Sequence, residues 1–335
     1  MQIVEVNRFE ELRERSNEWQ RLLESSPVNS VFLTQEWFEA WWGAFGADSF
    51  LSVFLGLDDK GSLLGVAPFL LRGDTMAFLA CESVTDYCDF ICKGENWSEF
   101  IRVLFHFIRT NYPKVKQIVL ENIKESSPTL SIVSGLMEEG ALTCRIDQVE
   151  VAPVLEIPLS YSDYQATLDR KNRHELRRKN RRAESIPELR LEVLQNRDEV
   201  AAFIPRFIQL HRESDEDKKT FWNRPGTRTF FLDMMERLAH RGWVKVFNLT
   251  SRGSLVASLL TMNYGDELSL YNITFKRDYA PYSPGYYLFN ASIKDAISQR
   301  QKYVDFLRGD EKYKYSFGAK DCKIFHLAFD IGVTS

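Results

Sequence analysis

Two stretches of the chain repeat one pattern of hydrophobic and polar positions. In each, aromatic and aliphatic residues at three- and four-residue spacing predict an amphipathic helix, and the apolar runs that follow predict strands. Polar turns ending in glycine, 58–61 and 250–253, separate the first two strands of each stretch. The predicted order in both is helix, three strands, helix and strand. The predicted helices are 36–45, 97–110, 230–241 and 285–299, and the predicted strands include 51–57, 75–80, 117–122, 244–249, 267–273 and 303–308.

The residues themselves support this internal repeat. Residues 61–74 read GSLLGVAPFLLRGD and residues 253–266 read GSLVASLLTMNYGD, and in both copies an aromatic pair lies sixteen residues before a Val-Phe pair. A mixed sheet whose last connection is a helical crossover predicts an α/β (α+β) architecture. We therefore predict two tandem domains, 1–158 and 159–323, each a mixed sheet flanked by helices. The last strand-like segment, 324–332, is predicted to pair with either half, and it would complete the first domain if it pairs there.

Composition excludes several classes of protein. The 335 residues are 44% hydrophobic and 27% charged, which predicts a folded chain. The 43 basic and 47 acidic residues give a net charge of −4, which predicts no general attraction to DNA or to anionic membranes. No apolar run is long enough to insert in a membrane and the N-terminal segment is not a secretory signal, so we expect a cytoplasmic protein. The scattered cysteines (81, 88, 92, 144 and 322) predict reduced thiols and no metal site.

Three segments carry candidate chemistry, and the first is a turn that opens a helix. The segment from Tyr271 ends in Tyr282-Ser-Pro-Gly285 just before the predicted helix 285–299. Free N–H groups at a helix N-terminus bind pyrophosphate well, so Tyr282, Ser283 and Gly285 are candidate phosphate-binding residues. The alternative is that Pro284 simply starts the helix.

The second segment, 170–182, reads RKNRHELRRKNRR and is unusually basic for a chain with a net negative charge. On a helix, Arg173, Arg177 and Arg181 share one stripe, so their guanidinium groups can converge on phosphates. The alternatives are a solvated helix face and a nucleic-acid-binding tract.

The third segment, 306–317, follows the last predicted strand of the second half and carries several charges. Asp310 or Glu311 can accept a proton from an attacking amine, while Arg308 or Lys314 can stabilise developing negative charge. The alternative is a polar loop whose charges pair with each other.

Together these segments resemble the FemAB-related branch of the GNAT acyltransferase superfamily, in particular its BioF-like and CelD-like (cellulose-biosynthesis-associated) acetyltransferases. The resemblance spans about residues 15–325. The matching segments are SVFLTQEWFEAWW (30–42), GVAPFLL (65–71), DYCDFI (86–91), KNRHELRRKNRR (171–182), YSPGYYL (282–288) and DFLRGDEKYK (305–314).

The resemblance implies tandem GNAT-like domains and an acyl-CoA co-substrate such as acetyl-CoA, with no permanently bound cofactor. It implies that the thioester lies between splayed central strands, with its pyrophosphate at Tyr282, Ser283 and Gly285. From the basic stripe of segment 170–182 we also expect Arg173 and Arg177 to contact this cofactor. We expect the catalytic groups to be Asp310 as base or as the group that orients the acceptor, Lys314 and Arg308 as charge stabilisers, and Tyr271 as acid. Acceptor contacts are expected from Asp86, Tyr87 and Asp89, although aromatic Tyr87 is equally compatible with the core.

Three functions remain open at this stage. The first is transfer of an acyl group from acyl-CoA to a small molecule or a glycan precursor. The second follows Fem-type relatives, which use aminoacyl-tRNA, and assigns the tRNA backbone to segment 170–182. The third is a GNAT-fold module without catalysis in polysaccharide synthesis.

Overall fold

The structure, a computed structural model, describes residues 1–80 and 84–331. The described chain forms two compact units: unit 1 is Met1–Glu150 together with residues 322–331, and unit 2 is Val151–Asp321. Cys81 and Gly332, the last residue of the predicted strand 324–332, lie outside the described residues.

The strands are β1 (Gln2–Val6), β2 (Phe50–Leu57), β3 (Leu63–Arg72), β4 (Thr75–Phe78), β5 (Ile91–Cys92), β6 (Gln117–Lys124), β7 (Cys144–Glu156), β8 (Leu189–Leu194), β9 (Val244–Ser251), β10 (Ser254–Tyr264), β11 (Glu267–Phe275), β12 (Tyr303–Asp305) and β13 (Lys320–Asp330). The helices are α1 (Phe9–Glu14), α2 (Ser16–Glu24), α3 (Gln35–Phe45), α4 (Trp97–Asn111), α5 (Pro128–Glu138), α6 (Tyr161–Thr167), α7 (Arg170–Glu184), α8 (Arg197–Ser214), α9 (Glu216–Asn223), α10 (Thr227–His240), α11 (Pro284–Ser298) and α12 (Lys312–Ser316).

The sheet of unit 1 has the order β1-β2-β3-β4-β6-β13, with the first part of β7 beside β13. Strands β1 to β4 pair antiparallel, whereas β4 and β6 are parallel because α4 provides the crossover between them. Gly56 and Gly65 are paired on β2 and β3, and a Cβ added to either would lie within 2.8 Å of the Phe100 ring. These glycines therefore let α4 pack directly on the sheet.

The sheet of unit 2 has the order β12-β11-β10-β9-β8, with the last part of β7 beside β12. Helix α11 crosses from β11 to β12 and buries Leu288 and Ile293 against strand residues such as Leu259. A Cβ added to Gly285 would lie 3.0 Å from Cδ1 of Ile273, so the first turn of α11 begins in close contact with β11.

The predicted repeat is confirmed in both units. Unit 1 contains α3, β2, β3, β4, α4 and β6 in this order, with the two-residue strand β5 between β4 and α4. Unit 2 contains α10, β9, β10, β11, α11 and β12 in the same order. The pairing is also the same, because the first three strands of each set are antiparallel and the last pair is parallel. The predicted fold class, a mixed sheet flanked by helices, is therefore confirmed.

Strands β1, β8 and β13 are among the elements that lie outside the repeat. Strands β1 and β8 pair antiparallel with β2 and β9 at the sheet edges, and the sequence analysis did not predict them. Strand β13 pairs antiparallel with β6, from Ile324 opposite Lys124 to Asp330 opposite Gln117. None of the helices within 1–80 and 84–331 is long and apolar enough to cross a bilayer.

Candidate active site

An opening lies between β11 and β12 in unit 2. The two strands pair only at Glu267–Ser269 and Tyr303–Asp305, although β11 continues to Phe275. Beyond Ser269, β11 therefore has no pairing with β12, and the strands separate toward their carboxyl ends. In sheets of this type functional groups collect outside the carboxyl ends of the strands, at the point where neighbouring connections diverge.

Tyr271 lies at a β-bulge on the β11 side of this opening. Leu260 pairs with Asn272 and Thr261 pairs with Leu270, so Tyr271 is the extra residue between them. Its ring stacks on Phe231 of α10, with ring centroids 6.0 Å apart. A bulge re-aims the side chain of the inserted residue and is typical of strands beside active sites.

The loop from Phe306 to Glu311, here the 306–311 loop, forms the β12 side of the opening. The buried Asp305 carboxylate accepts a hydrogen bond from the backbone N–H of Leu307 at 2.7 Å. The ammonium of Lys314, which is 2% exposed, donates to the carbonyl oxygens of Leu307, Arg308 and Gly309 at 2.8 to 3.0 Å. It also lies 2.9 Å from the Glu311 carboxylate.

These contacts change the role expected of Lys314. An ammonium has three N–H donors, and the loop carbonyls use all three, so none is left for a substrate oxyanion or thiolate. Lys314 is therefore a positioning residue that fixes the 306–311 loop, rather than the charge stabiliser expected from the sequence. Asp310 lies in the loop that it fixes, with an exposed carboxylate that makes no hydrogen bond or ion pair with any described residue. Arg308 is half-buried in the same loop.

The predicted phosphate-binding turn has a compact local structure. Residues Arg277–Tyr282 form a short 3-10 helix, and Ser283 follows in the left-handed region with φ 56° before α11 begins at Pro284. The N–H groups of Tyr286 and Tyr287 bond to the Ser283 carbonyl, whereas that of Gly285 has no partner among the described residues. One backbone donor is thus left at the N-terminus of α11, while Tyr282 and Ser283 are half-buried beside it.

The predicted basic helix is confirmed as α7, and its arginines differ in their contacts. Nη2 of Arg173 donates to the carbonyls of Leu168 at 2.8 Å and Ala166 at 3.5 Å, and its Nε is buried. Arg173 therefore holds the α6–α7 connection, which argues against the predicted contact with a cofactor. Arg177 is exposed and lines a surface pocket between α6, α7 and α11.

Two of the three residues expected to recognise the acceptor lie in the core of unit 1. Tyr87 is 3% exposed and packs against Phe32, with the Lys124 ammonium 3.7 Å from its ring centroid. Asp89 is 4% exposed and accepts hydrogen bonds from Thr129 at 2.6 Å and from the Phe90 N–H at 2.9 Å. Burial outweighs the opposing effect of these hydrogen bonds and raises the pKa of Asp89 to about 6. Both positions are closed to an acceptor, and Asp86 beside them is half-buried and interacts with other residues of the chain.

The sequence analysis missed a polar cluster that ties α8 and α9 to β11. The buried His211 accepts a hydrogen bond from Nε1 of Trp222 at 2.9 Å, and its ring also bonds the Asn272 side chain. The ammonium of Lys218 donates to the Ile273 carbonyl at 2.8 Å. Burial and the nearby Lys218 cation lower the pKa of His211 to about 3, and burial also lowers the pKa of Lys218. The cluster holds helices α8 and α9 beside the bulge at Tyr271.

A pocket of about 770 Å³ lies at the corner between α8 and α9, next to the end of β11. Both signs of charge line it, including Arg212, Asp215, Glu216 and Arg277. Nε of Arg277, which follows β11, donates to the Ser214 carbonyl at 3.0 Å and so fixes this corner. No local pattern in the sequence indicated this pocket, since its lining comes from three helices and the turn after β11.

Comparison with known proteins identifies the type of domain in unit 2. Residues 170–315 match the family model described as an acetyltransferase (GNAT) domain. This part of the chain is therefore similar to a GNAT-type acetyltransferase domain, and it contains the opening, the bulge and the 306–311 loop. No curated protein matches the chain in sequence.

Solved structures show the same fold at low sequence identity. FemX is 12% identical with a TM-score of 0.66, covering 99% of this chain and 96% of that one. The C-terminal domain of a putative lysylphosphatidylglycerol synthetase from Agrobacterium fabrum is 12% identical with a TM-score of 0.61, covering 95% and 91%. A tandem GNAT protein from the clavulanic acid biosynthesis pathway is 11% identical with a TM-score of 0.51, covering 100% and 99%. These likenesses show that the fold is GNAT-like.

Proposed function

We propose that the protein is an acyltransferase that moves an acetyl or other acyl group from acyl-CoA to an amine or hydroxyl of a small acceptor. The observation that carries this proposal is the opening between β11 and β12, bordered by the bulge at Tyr271 and by the 306–311 loop. A thioester inserted there would meet the unpaired edge of β11, whose backbone N–H groups can hold an oxyanion. The GNAT-type match to this part of the chain supports the same reaction.

The proposed reaction is a direct displacement on the thioester. The acceptor nitrogen or oxygen attacks the acyl carbonyl carbon while its proton passes to the Asp310 carboxylate, directly or through water. The new bond to the acceptor forms, the carbon–sulfur bond breaks, and the Tyr271 hydroxyl gives its proton to the leaving thiolate. Arg308 lies in the same loop as Asp310 and stabilises the charge that develops.

Donor and acceptor would enter from different sides of β11. The donor pyrophosphate would rest at the N-terminus of α11, where the Gly285 N–H is unbonded. The acceptor would occupy the pocket at the α8–α9 corner, whose mixed charges suit a molecule with both an amine and an anionic group. The resemblance to the CelD-like and BioF-like branch favours an envelope or polysaccharide precursor as this acceptor.

Calorimetric titration with acetyl-CoA and longer acyl-CoAs tests the donor. We expect saturable binding to at least one of them, and absence of binding to all would refute the proposal. Asp310→Asn should retain donor binding but lose transfer, whereas Asp59→Asn, a control at an exposed acid in the β2–β3 turn, should retain both. Donor binding by the wild type without transfer to any acceptor would instead favour a non-catalytic module.

A second candidate is transfer from aminoacyl-tRNA, as in Fem-type relatives. The FemX-like fold over nearly the whole chain favours it, as do Arg170 and Lys171, exposed residues at the start of α7 that make no hydrogen bond or ion pair with described residues. Because several phosphates would be neutralised, tRNA affinity should fall steeply with salt. A parallel assay with acetyl-CoA and charged tRNA as donors separates the two candidates.

A further inference from the structure

A basic pocket in unit 2 has no part in the proposed reaction. It lies between α6, α7 and α11 and has a volume of about 460 Å³. Arg177 and Arg181 line it from α7 and Lys294 lines it from α11, whereas Glu184 is its one acidic lining residue. We propose that this pocket binds the phosphate or pyrophosphate group of a small phosphorylated ligand.

Several cations of α7 have partners within the chain, whereas Arg177 and Arg181 have no hydrogen-bonding or ion-pair partner among the described residues. Arg178 bonds Glu175 through two nitrogens, Lys179 lies over the Tyr286 ring, and Arg182 donates to a backbone carbonyl at 3.3 Å. Arg177 and Arg181, one helical turn apart, make no hydrogen bond or ion pair with any residue in 1–80 or 84–331. Two guanidinium groups on the same face repel each other, and a bound anion removes that repulsion.

A third cation and neutral donors converge on the same space from other helices. The Lys294 ammonium lies 4.8 Å from the centroid of the Tyr161 ring and makes no ion pair with a described residue. The Tyr161 hydroxyl donates to Oδ1 of Asn290 at 2.7 Å, which leaves the Asn290 amide group as a further donor. Three cations against one carboxylate match the double negative charge of a phosphate monoester. Guanidinium forks also match the geometry of its oxygens.

This pocket lies on a different side of α11 from the proposed donor site. Gly285 faces β11, while Tyr287, Asn290 and Lys294 line the pocket. At 100° per residue these three lie about 140–200° around the helix axis from Gly285. The pocket is therefore on the side of α11 that faces away from the opening between β11 and β12, so the proposal does not depend on the proposed reaction.

The pocket also favours a small ligand over a polymer. Its volume is within the range of about 300–1,000 Å³ that is typical of small-molecule sites. Three helices bound it, and the chain as a whole carries a net charge of −4. A polyanion would need an extended basic track, whereas these cations are gathered around one space.

Calorimetric titration of the full chain with inorganic pyrophosphate at low salt tests this inference. The variant Arg177→Gln/Arg181→Gln should bind pyrophosphate about tenfold more weakly or worse, because two charge-assisted contacts are lost. The control Arg170→Gln/Lys171→Gln removes the same charge from the same helix outside the pocket, and it should bind like the wild type. Lys294→Gln, on another helix, should also weaken binding, and circular dichroism checks the fold of each variant.

Three results would overturn the inference. Absence of pyrophosphate binding by the wild type would show that there is no such site. Equally weakened pyrophosphate binding in both double variants would show that only the general positive charge of α7 attracts the anion. Binding of tRNA or of vesicles with anionic phospholipid, weakened equally by both double variants and not displaced by pyrophosphate, would assign α7 to a macromolecule or a membrane instead.

Discussion

Replacing Lys314 with methionine tests how the 306–311 loop is held. The Lys314 ammonium is 2% exposed and bonds three consecutive backbone carbonyls of the loop. Hydrogen bonds from a charged donor contribute about 1.5–3 kcal/mol each, so three set an upper limit of about 5–9 kcal/mol. Arg308 and Gly309 are only half-buried, so water can reach part of the loop once it opens. We therefore expect Lys314→Met to lower the free energy of unfolding by about 3–5 kcal/mol.

Urea denaturation followed by circular dichroism measures this loss. Lys312→Met is the matched control, because Lys312 is exposed on the same short helix and should change stability by less than about 0.5 kcal/mol. Hydrogen exchange should show faster exchange in the 306–311 loop of Lys314→Met than in the control. A loss of less than about 1 kcal/mol with unchanged exchange would refute the view that Lys314 fixes this loop.

Three further predictions concern other features. The raised pKa of Asp89, about 6 against an ordinary 3.8, means that its contribution to stability is full below about pH 4 and is lost as pH rises through 6. The difference in unfolding free energy between wild type and Asp89→Asn should thus shift by about 2 kcal/mol between pH 4 and 7. A difference that stays constant over this range would contradict the prediction. Burial is the larger cause of the lowered pKa of His211, and the Lys218 cation is the smaller one. In Lys218→Met an NMR titration should therefore give a His211 pKa that is higher than in the wild type but still below 6.5. An unchanged His211 pKa would show that Lys218 does not contribute to the shift. This lowered pKa stabilises the fold above pH 6.5, and that contribution is lost as pH falls toward 3. Gly309→Ala forces alanine to φ +110°, where a Cβ lies 2.6 Å from Glu311, and should cost about 1–3 kcal/mol in urea denaturation. The control Gly94→Ala, which has open space around the added Cβ, should change stability by less than about 0.5 kcal/mol. Equal losses of stability in Gly309→Ala and Gly94→Ala would contradict the view that backbone strain at Gly309 causes the loss.

The sequence by itself determined the repeat and the fold class. Helices and strands of the repeat have apolar positions at a local period, and sheet neighbours such as β9 and β10 are joined by short turns, so nearby residues suffice to specify them. The basic helix α7 could be predicted for the same reason. The edge strands β1 and β8 were not predicted, because they are short and, in β8, mostly exposed, which weakens the alternation of apolar and polar residues.

Only the tertiary structure decided what the candidate side chains do. The carbonyls that occupy Lys314 belong to the turn after β12, and the core that encloses Tyr87 and Asp89 comes from helices and strands distant in sequence. His211 and Lys218 lie beside Tyr271 because α8 and α9 pack against β11, across more than fifty residues. Hydrogen bonding and desolvation depend on which groups meet in space, and such contacts leave no periodic pattern in the sequence.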